Sequence, residues 1–559
     1  MKHFGLDISL VMATVLFLTM LLTHLSFPLI WEDEGDSVMF GQRVYRYGYP
    51  KVHDERNTLY GLKEKLEIGV DKRTDAYTGA PWVNYYVGAV GVALATRVDD
   101  IYAKTLRLRL PYTLIGVAGL ALFFFSIAPG LRGPPGTRRR AAVIFLLMLS
   151  VSISLILHLR EARYYPIVIL LYGILLYHFI HHHFFDRLSH TRYTAVSFVA
   201  LFLLFNTFYP SFGVWCAGTS IYLVVRVLPE RRSLKDRFVL LLRENAPVFL
   251  AVITVLPLLF YFDFVLQAGR WFDQFGSTIA AYFHNLWVVL YNMLRFEFLA
   301  LALLLKLLNH HTRPNKQNGG WPESMRSQVE TSRFLATLVV CYWLIISRSP
   351  FIFERYFLTM GPLISIMLLL DGHLLVRLVR EEVGPKERMS RMFRSVGMAG
   401  ALACVLLYVR LPELAGRLYE MRHQYKGPVD YFIPYILEKY EHPEQLVVAT
   451  NYAEPVLMYY LGSRVTVGYY GPDLERDMQI QPDIIVPRPW KPNLDALQTL
   501  ATRVPYTVKS FEVKNQQTNN IPALSPHTPG GLHHRYKTVL AKTPREQLKV
   551  FERVGPETQ

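Results

Sequence analysis

The sequence predicts a polytopic α-helical membrane protein of about eleven or more transmembrane helices, with a C-terminal extracytoplasmic α/β domain. Three observations carry that prediction. Apolar residues make up 52% of the 559 and charged residues 19%, and the apolar ones gather in stretches of roughly 17–25, the length a helix needs to cross hydrocarbon. The formal net charge is +16, and its lysines and arginines collect on alternate intervals between those stretches, the pattern left by cytosolic retention of basic loops. After Leu411 the rhythm changes to short apolar runs alternating with helix-like segments, as in a soluble α/β fold.

The apolar stretches lie near 7–30, 110–128, 141–158, 164–183, 194–209, 211–228, 246–265, 289–308, 333–348, 356–378 and 394–411. With the N-terminus in the cytosol, the cytosolic intervals hold Arg132 and Arg138 to Arg140; Arg187 and Arg192; Arg231, Arg232, Lys235 and Arg237; Arg313, Lys316 and Arg326; and Arg380, Lys386, Arg388, Arg391 and Arg394. The alternate intervals, 159–163, 206–210, 266–288 and 349–355, carry fewer cations and are short or aromatic. An odd number of crossings leaves everything after Leu411 outside. The expected location is therefore a cell membrane, a bacterial inner membrane, crossed many times. The first stretch reads as a retained anchor, being too long for a signal h-region and lacking a small-x-small site after Leu25.

Several classes are excluded or disfavoured. No long basic run lies outside the spans, so the charge implies membrane lipid as partner and no nucleic acid. Cys216, Cys341 and Cys404 all fall inside spans, which removes a disulfide framework or a thiolate metal site outside. No repeat of 20 to 50 residues supports a transporter built from repeated halves.

The first exterior interval, 31–109, is far longer than a return crossing requires. It opens with Trp31-Glu32-Asp33-Glu34-Gly35-Asp36, continues as an amphipathic helix to Tyr47-Gly48-Tyr49-Pro50, and becomes apolar again at Pro81-Trp82-Val83-Asn84-Tyr85-Tyr86. Acids are favoured at a helix start, so Asp33 or Glu34 is expected to cap this helix. A second exterior interval carries Trp271, Phe272, Phe275, Ile279, Tyr282, Phe283, Leu286 and Trp287 on one helical face. That face fits either a helix lying in the membrane interface or ordinary packing on neighbouring spans. Residues 1–411 thus form the membrane module and 412–559 the exterior domain. The latter has helix-like 428–440 and 453–461, strands at 446–450, 464–468, 482–486, 505–511 and 535–541, and an Asn-, Pro- and Gly-rich loop over 513–533.

The order and sidedness of five segments resemble the GT-C superfamily of polytopic glycosyltransferases, in its protein O-mannosyltransferase and aminoarabinose-transferase branch. Asp33-Glu34 matches the acidic pair after the first span. Thr78-Gly79-Ala80-Pro81-Trp82-Val83-Asn84-Tyr85-Tyr86 stands where that family re-enters the membrane, and Arg107-Leu108-Arg109-Leu110-Pro111 resembles the start of its second span. Arg160-Glu161-Ala162-Arg163-Tyr164-Tyr165-Pro166 resembles its "AR-x-Y" segment, and Glu354-Arg355-Tyr356-Phe357 its late "RY" segment. The resemblance implies a sugar donor linked to polyprenyl phosphate, inversion at the anomeric carbon, and a protein, lipid or glycan acceptor.

Elementary chemistry agrees with that implication. Inverting transfer needs a carboxylate opposite the leaving group to take the acceptor's proton, and Asp33 is the candidate, with Glu34 positioning it or meeting the acceptor. A departing phosphate needs preorganised cations, and Arg163, Arg355 and Arg160 sit at exterior span ends; snorkelling to lipid or pairing with Glu161 or Glu354 is their structural alternative. Where relatives carry a Lys or His before the re-entry prolines, or an Arg after the acidic pair, this chain has Gly79-Ala80 and Asp36. Asp36, His53, Asp54 and Tyr164 therefore stand as further donor or acceptor contacts. Asp33, Glu34 and Asp36 also offer oxygen ligands for a divalent metal. His181, His182 and His183 look like ligands but fall at a cytosolic span end and read as wetted residues; His533 and His534 are exterior candidates for the acceptor cleft. A flippase for lipid-linked glycans, a glycan polymerase or ligase using a diphosphate-linked donor, and a non-catalytic assembly protein are the competing functions.

Overall fold

The computed structural model describes residues 7–59, 69–229, 233–266, 269, 278–312, 321–349, 352–382, 385–423, 426–471, 473–489, 491–513 and 545–554. Its helices are α1 (Ile8–Leu22), α2 (Glu32–Tyr47), α3 (Val83–Ala95), α4 (Ile101–Ile127), α5 (Thr137–Val151), α6 (Ile153–Leu159), α7 (Tyr165–His183), α8 (His190–Phe205), α9 (Tyr209–Val227), α10 (Leu234–Glu244) and α11 (Ala246–Tyr261). There follow α12 (Ile279–Phe296), α13 (Leu299–Thr312), α14 (Glu323–Ile346), α15 (Met360–Glu382), α16 (Pro385–Arg422), α17 (Val429–Lys439), α18 (Glu454–Leu461), α19 (Leu474–Asp477) and α20 (Leu494–Arg503).

Every predicted apolar stretch falls on helix, but not every one on a single straight helix. Length and composition alone qualify five helices as spans, or eight when three bent pairs each count as one: α5 with α6, bent by 80°, α10 with α11, by 63°, and α12 with α13, by 77°. The shorter α1 and α8, together with α9, cover the other three predicted stretches. Neither Gly nor Pro marks the break in 289–308. There Phe298 takes a left-handed conformation with φ 57°, and the buried Glu297 beside it pairs with Arg410 at 3.5 Å. Large apolar side chains face outward along the bundle, Phe260 being 78% exposed and Tyr408 74%, as a hydrocarbon surround requires. In α12 the residues Ile279, Phe283 and Trp287 form such an outward stripe; Trp271, Phe272 and Phe275 lie outside the described residues.

Small residues let the central helices approach closely. A Cβ on Gly119 of α4 would lie 2.6 Å from the Leu170 backbone of α7, and one on Gly173 of α7 would lie 2.7 Å from the Gly119 carbonyl. The same device joins α2 to α3, where a Cβ on Gly41 would stand 2.7 Å from the Gly88 carbonyl carbon. The long exterior interval is thus structured: α2 ends at Gly48, φ 83°, a small hairpin of β1 (Val70–Asp71) and β2 (Ala76–Tyr77) follows, and α3 returns toward the membrane. α4 begins at Ile101, so Arg107 and Arg109 lie inside it rather than at its start.

The exterior domain has a five-stranded sheet of order β4-β3-β5-β7-β6, with β3 (Val447–Thr450), β4 (Arg464–Val467), β5 (Ile484–Val486), β6 (Tyr506–Val513) and β7 (Glu546–Arg553). β3 is parallel to β4 and β5, and β7 is antiparallel to β5 and β6. Four predicted strands and both predicted helices are present. The expected strand 535–541 and all but the first residue of the loop 513–533 lie outside the described residues. β7 and α20 were not expected. β7 reads as polar because its buried face includes Glu552, whose carboxylate is satisfied by Tyr435, Lys439 and Tyr440. α16 continues through the expected boundary at 411 to Arg422, tying the two parts with a continuous helix.

Candidate functional site

The acidic run forms the first turn of α2, and the chain before it is held from several directions. The Leu29 N–H donates to Asp430 at 3.0 Å and the Ile30 N–H to the Tyr460 hydroxyl at 3.3 Å. Arg109 donates to the carbonyls of Leu25 and Pro28 at 3.0 and 2.8 Å. Its other edge forms a two-pronged pair with Glu34, Nε to Oε1 at 2.8 Å and Nη2 to Oε2 at 2.6 Å. Glu34 also accepts the Ala162 N–H at 2.9 Å and is 0% exposed. Glu34 therefore locks α2 against α4 and the segment before α7, and no acceptor reaches it in this arrangement. Neither acid caps the helix: Trp31 is the N-cap and makes no side-chain cap bond.

Asp33, one residue earlier, points into a different environment. Its Oδ2 lies 2.8 Å from Arg355 Nη1 and 3.2 Å from Arg163 Nη2, and Arg163 also donates to the Asp33 backbone carbonyl at 2.8 Å. The three groups come from α2, from the link between α6 and α7, and from the short 3-10 turn Glu354–Phe357. Arg355 is set among the rings of Phe353, Trp31 and Tyr356, at 4.6, 5.7 and 5.8 Å, which fixes its aim. The Asp33 side chain keeps 24% of its surface accessible, yet burial is the largest influence on it. Burial alone would raise its pKa; Arg163 and Arg355 outweigh that and hold it below the ordinary value.

The neighbouring acids behave oppositely. Burial, and then Asp33, push Asp36 up to about 8. Burial, and then Glu454, Asp36 and Asp33, carry Glu32 well above the usual range, and burial raises Glu454. The cluster thus sets one carboxylate, gripped by two guanidinium groups and held low, among acids whose pKa values are driven upward.

Glu454 belongs to the C-terminal domain, and so do further groups not expected from the sequence. Lys491 acts electrostatically on Glu32, Asp33 and Glu454 and lies 3.8 Å from the Tyr452 ring centre. Arg488 stands 5.4 Å over the same ring. Burial lowers both cations. Tyr469 donates its N–H to Glu454 at 3.0 Å. The contact between the two parts is close: a Cβ on Gly35 would lie 2.9 Å from the Val456 side chain at the start of α18.

Other expected site residues lie apart from this cluster. Arg160 donates to the Thr23 carbonyl at 2.9 Å, toward α1 rather than Asp33. His53 pairs with Asp75 at 2.6 Å and is half exposed, and Asp54 pairs with Arg43 and accepts the N–H groups of Arg56 and Asn57. Both shape the first exterior loop. Tyr164 stays nearby, its hydroxyl 3.0 Å from that of Tyr165 and its ring 5.1 Å from the Arg163 guanidinium. Glu161 pairs with His158 at 3.2 Å. Asp33, Glu34 and Asp36 do not converge as a metal site, since the oxygens of Glu34 are taken by Arg109 and Ala162, and Oδ2 of Asp33 by two arginines. His533 and His534 lie outside the described residues.

No family model matches the sequence, and no curated protein does. The fold has solved counterparts. ArnT from Cupriavidus metallidurans in the apo state superposes with a TM-score of 0.54 at 13% identity, over 89% of this chain and 95% of that one. The same protein bound to undecaprenyl phosphate gives 0.52 at 14% identity with the same coverage. The fold, a polytopic membrane module with an α/β domain, is thus shared with that protein over most of the chain.

Proposed function

We propose that the chain is a membrane glycosyltransferase that moves a sugar from a polyprenyl-phosphate donor to an exterior acceptor with inversion. The observation that carries this reading is the Asp33 carboxylate held by Arg355 and Arg163 at 2.8 and 3.2 Å. The shared fold with a protein solved bound to undecaprenyl phosphate supports it.

In this reading the two guanidinium groups serve the donor phosphate, their planar forks suiting its oxygens. A phosphate that engages them competes with Asp33 and loosens the contacts that hold its basicity down. The carboxylate becomes a better base as the donor arrives. The acceptor oxygen then bonds to the anomeric carbon while the carbon–oxygen bond to phosphate breaks. The acceptor's proton passes to Asp33 and the electron pair stays on the polyprenyl phosphate, stabilised by Arg163 and Arg355. Asp36, pushed up to about 8, offers a hydrogen-bond donor as well as an acceptor to sugar hydroxyls, and the upward shifts of Glu32 and Glu454 act in the same direction. Glu34 positions Asp33 through Arg109 and Ala162.

The test is transfer by the purified chain in lipid nanodiscs, supplied with labelled polyprenyl monophosphate sugars and a membrane extract as acceptor. Asp33→Asn should lower turnover by at least about 100-fold, within the range of a lost general base, while donor binding persists. Undiminished turnover in that variant removes Asp33 as base. Transfer confined to diphosphate-linked donors would favour the polymerase or ligase reading.

A further inference from the structure

At the opposite end of α7 from Arg163, a second group of side chains meets that the transfer site does not use. α7 has 19 residues, so at 1.5 Å per residue about 28 Å separates them. One donor atom each from His182, His190 and Glu244 lie within 4.8 Å of one another, the only such trio of His, Cys, Asp or Glu among the described residues. His182 sits in the last turn of α7, His190 opens α8 and Glu244 ends α10. His182 and His183 are not wetted, as the sequence suggested; they keep 14% and 4% of their side-chain surface.

The atoms are arranged as ligands. His182 Nδ1 lies 2.9 Å from the Leu188 carbonyl, which only accepts, so that nitrogen carries a proton and Nε2 is the one left to face Glu244. Nε2 stands 3.4 Å from Glu244 Oε2. A proton or a metal ion must lie between two such atoms, and the spacing is about the 3.3–3.4 Å edge of a tetrahedron whose ligands sit near 2.0–2.1 Å. His183 Nδ1 is 3.5 Å from the same oxygen. His190 Nε2 lies 3.4 Å from the Thr194 hydroxyl, while its Nδ1 is buried with no hydrogen-bond partner. His182 and His190 thus each have one ring nitrogen against an outer partner and the other turned elsewhere, as ligating histidines do. The Tyr193 ring, stacked on His182 at 4.7 Å, steadies the arrangement.

We infer that His182, His190 and Glu244 form a three-residue binding site for a divalent ion of the zinc class, with water as the fourth ligand, clamping the ends of α7, α8 and α10. The nitrogen-rich donor set suits zinc or cobalt rather than magnesium or calcium. The full chain, stripped with chelator in detergent and titrated with Co2+, should bind one ion with the visible absorption of a four-coordinate site, displaced by Zn2+. His190→Ala and Glu244→Gln should each erase that absorption and weaken binding by about 10-fold or more. Asp33→Asn should leave it unchanged. If His190→Ala loses helical circular dichroism, Glu244→Gln, which keeps the side-chain shape, decides. Absence of saturable absorption would show that a proton alone bridges His182 and Glu244, and its survival in Glu244→Gln would show that the ion binds elsewhere; either result overturns the inference.

Discussion

The pair of Glu34 and Arg109 gives the sharpest energetic expectation. Arg109 makes four hydrogen bonds, two to Glu34 and one each to the Leu25 and Pro28 carbonyls, and Glu34 is wholly buried. Glu34→Leu leaves a guanidinium that cannot lose its charge facing two carbonyls, and removing one member of a buried pair costs about 3–5 kcal/mol. Arg109→Met orphans the carboxylate and both carbonyls, adding about 1–3 kcal/mol for an unsatisfied group, so it should be the worse single change. The double variant has no unpaired charge. It should fall short of the summed losses by about 3 kcal/mol, the upper range for partners in one network. Unfolding by SDS in mixed micelles, followed by tryptophan fluorescence, measures all three. If the losses add to within about 0.5 kcal/mol, the two groups are uncoupled and the account of how Asp33 is positioned fails.

Three further outcomes follow from the same geometry. Arg355→Ala removes a charge-assisted contact of about 1.5–3 kcal/mol and should weaken polyprenyl-phosphate binding roughly 10- to 150-fold in a direct isotherm, with Arg355→Lys recovering only part. Asp36, pushed up to about 8 by burial and Asp33, ordinarily titrates near 3.9 when exposed. The folded chain therefore binds a proton that the unfolded chain has released between those values, and the stability this provides, complete in acid, is lost as pH rises toward 8. An infrared carboxylic-acid carbonyl band should vanish with that midpoint in the wild type and be missing that component in Asp36→Asn. Gly41→Val drives a side chain into the Gly88 backbone and should cost about 1–3 kcal/mol by the same SDS measurement.

The helices and the meeting of Asp33 with Arg163 and Arg355 were legible. Apolar length marks the spans, and the resemblance of the segments around these three residues to one family's motifs singled them out together. Pairing was not legible. Nothing local distinguishes Asp33, which meets two arginines, from Glu34, which is consumed by Arg109 some 75 positions away. The bend between α12 and α13 was equally silent, since it falls at a left-handed Phe298 beside the Glu297–Arg410 pair and not at a Gly or Pro.

The contribution of the exterior domain was missed for a different reason, since a signal existed. In open α/β sheets, ligands gather beyond the carboxyl ends of parallel strands. Tyr452 and Glu454 follow β3, Tyr469 follows β4, and Arg488 and Lys491 follow β5, the three mutually parallel strands of the sheet. Applied to 446–450, 464–468 and 482–486, that rule alone selects these loops. Val467, a β-branched residue with φ 74°, and Ala453 and Asn493, with φ 65° and 60°, show that the backbone there is held in unfavoured conformations, a cost that persists where a site demands it. The domain therefore adjoins the acidic cluster directly and is not a tether beside it. Lys491 is the discriminating residue: if its charge acts on Glu32 and Asp33 across the boundary, Lys491→Met should raise the Asp33 carboxyl toward neutrality while leaving the Arg355 and Arg163 contacts in place.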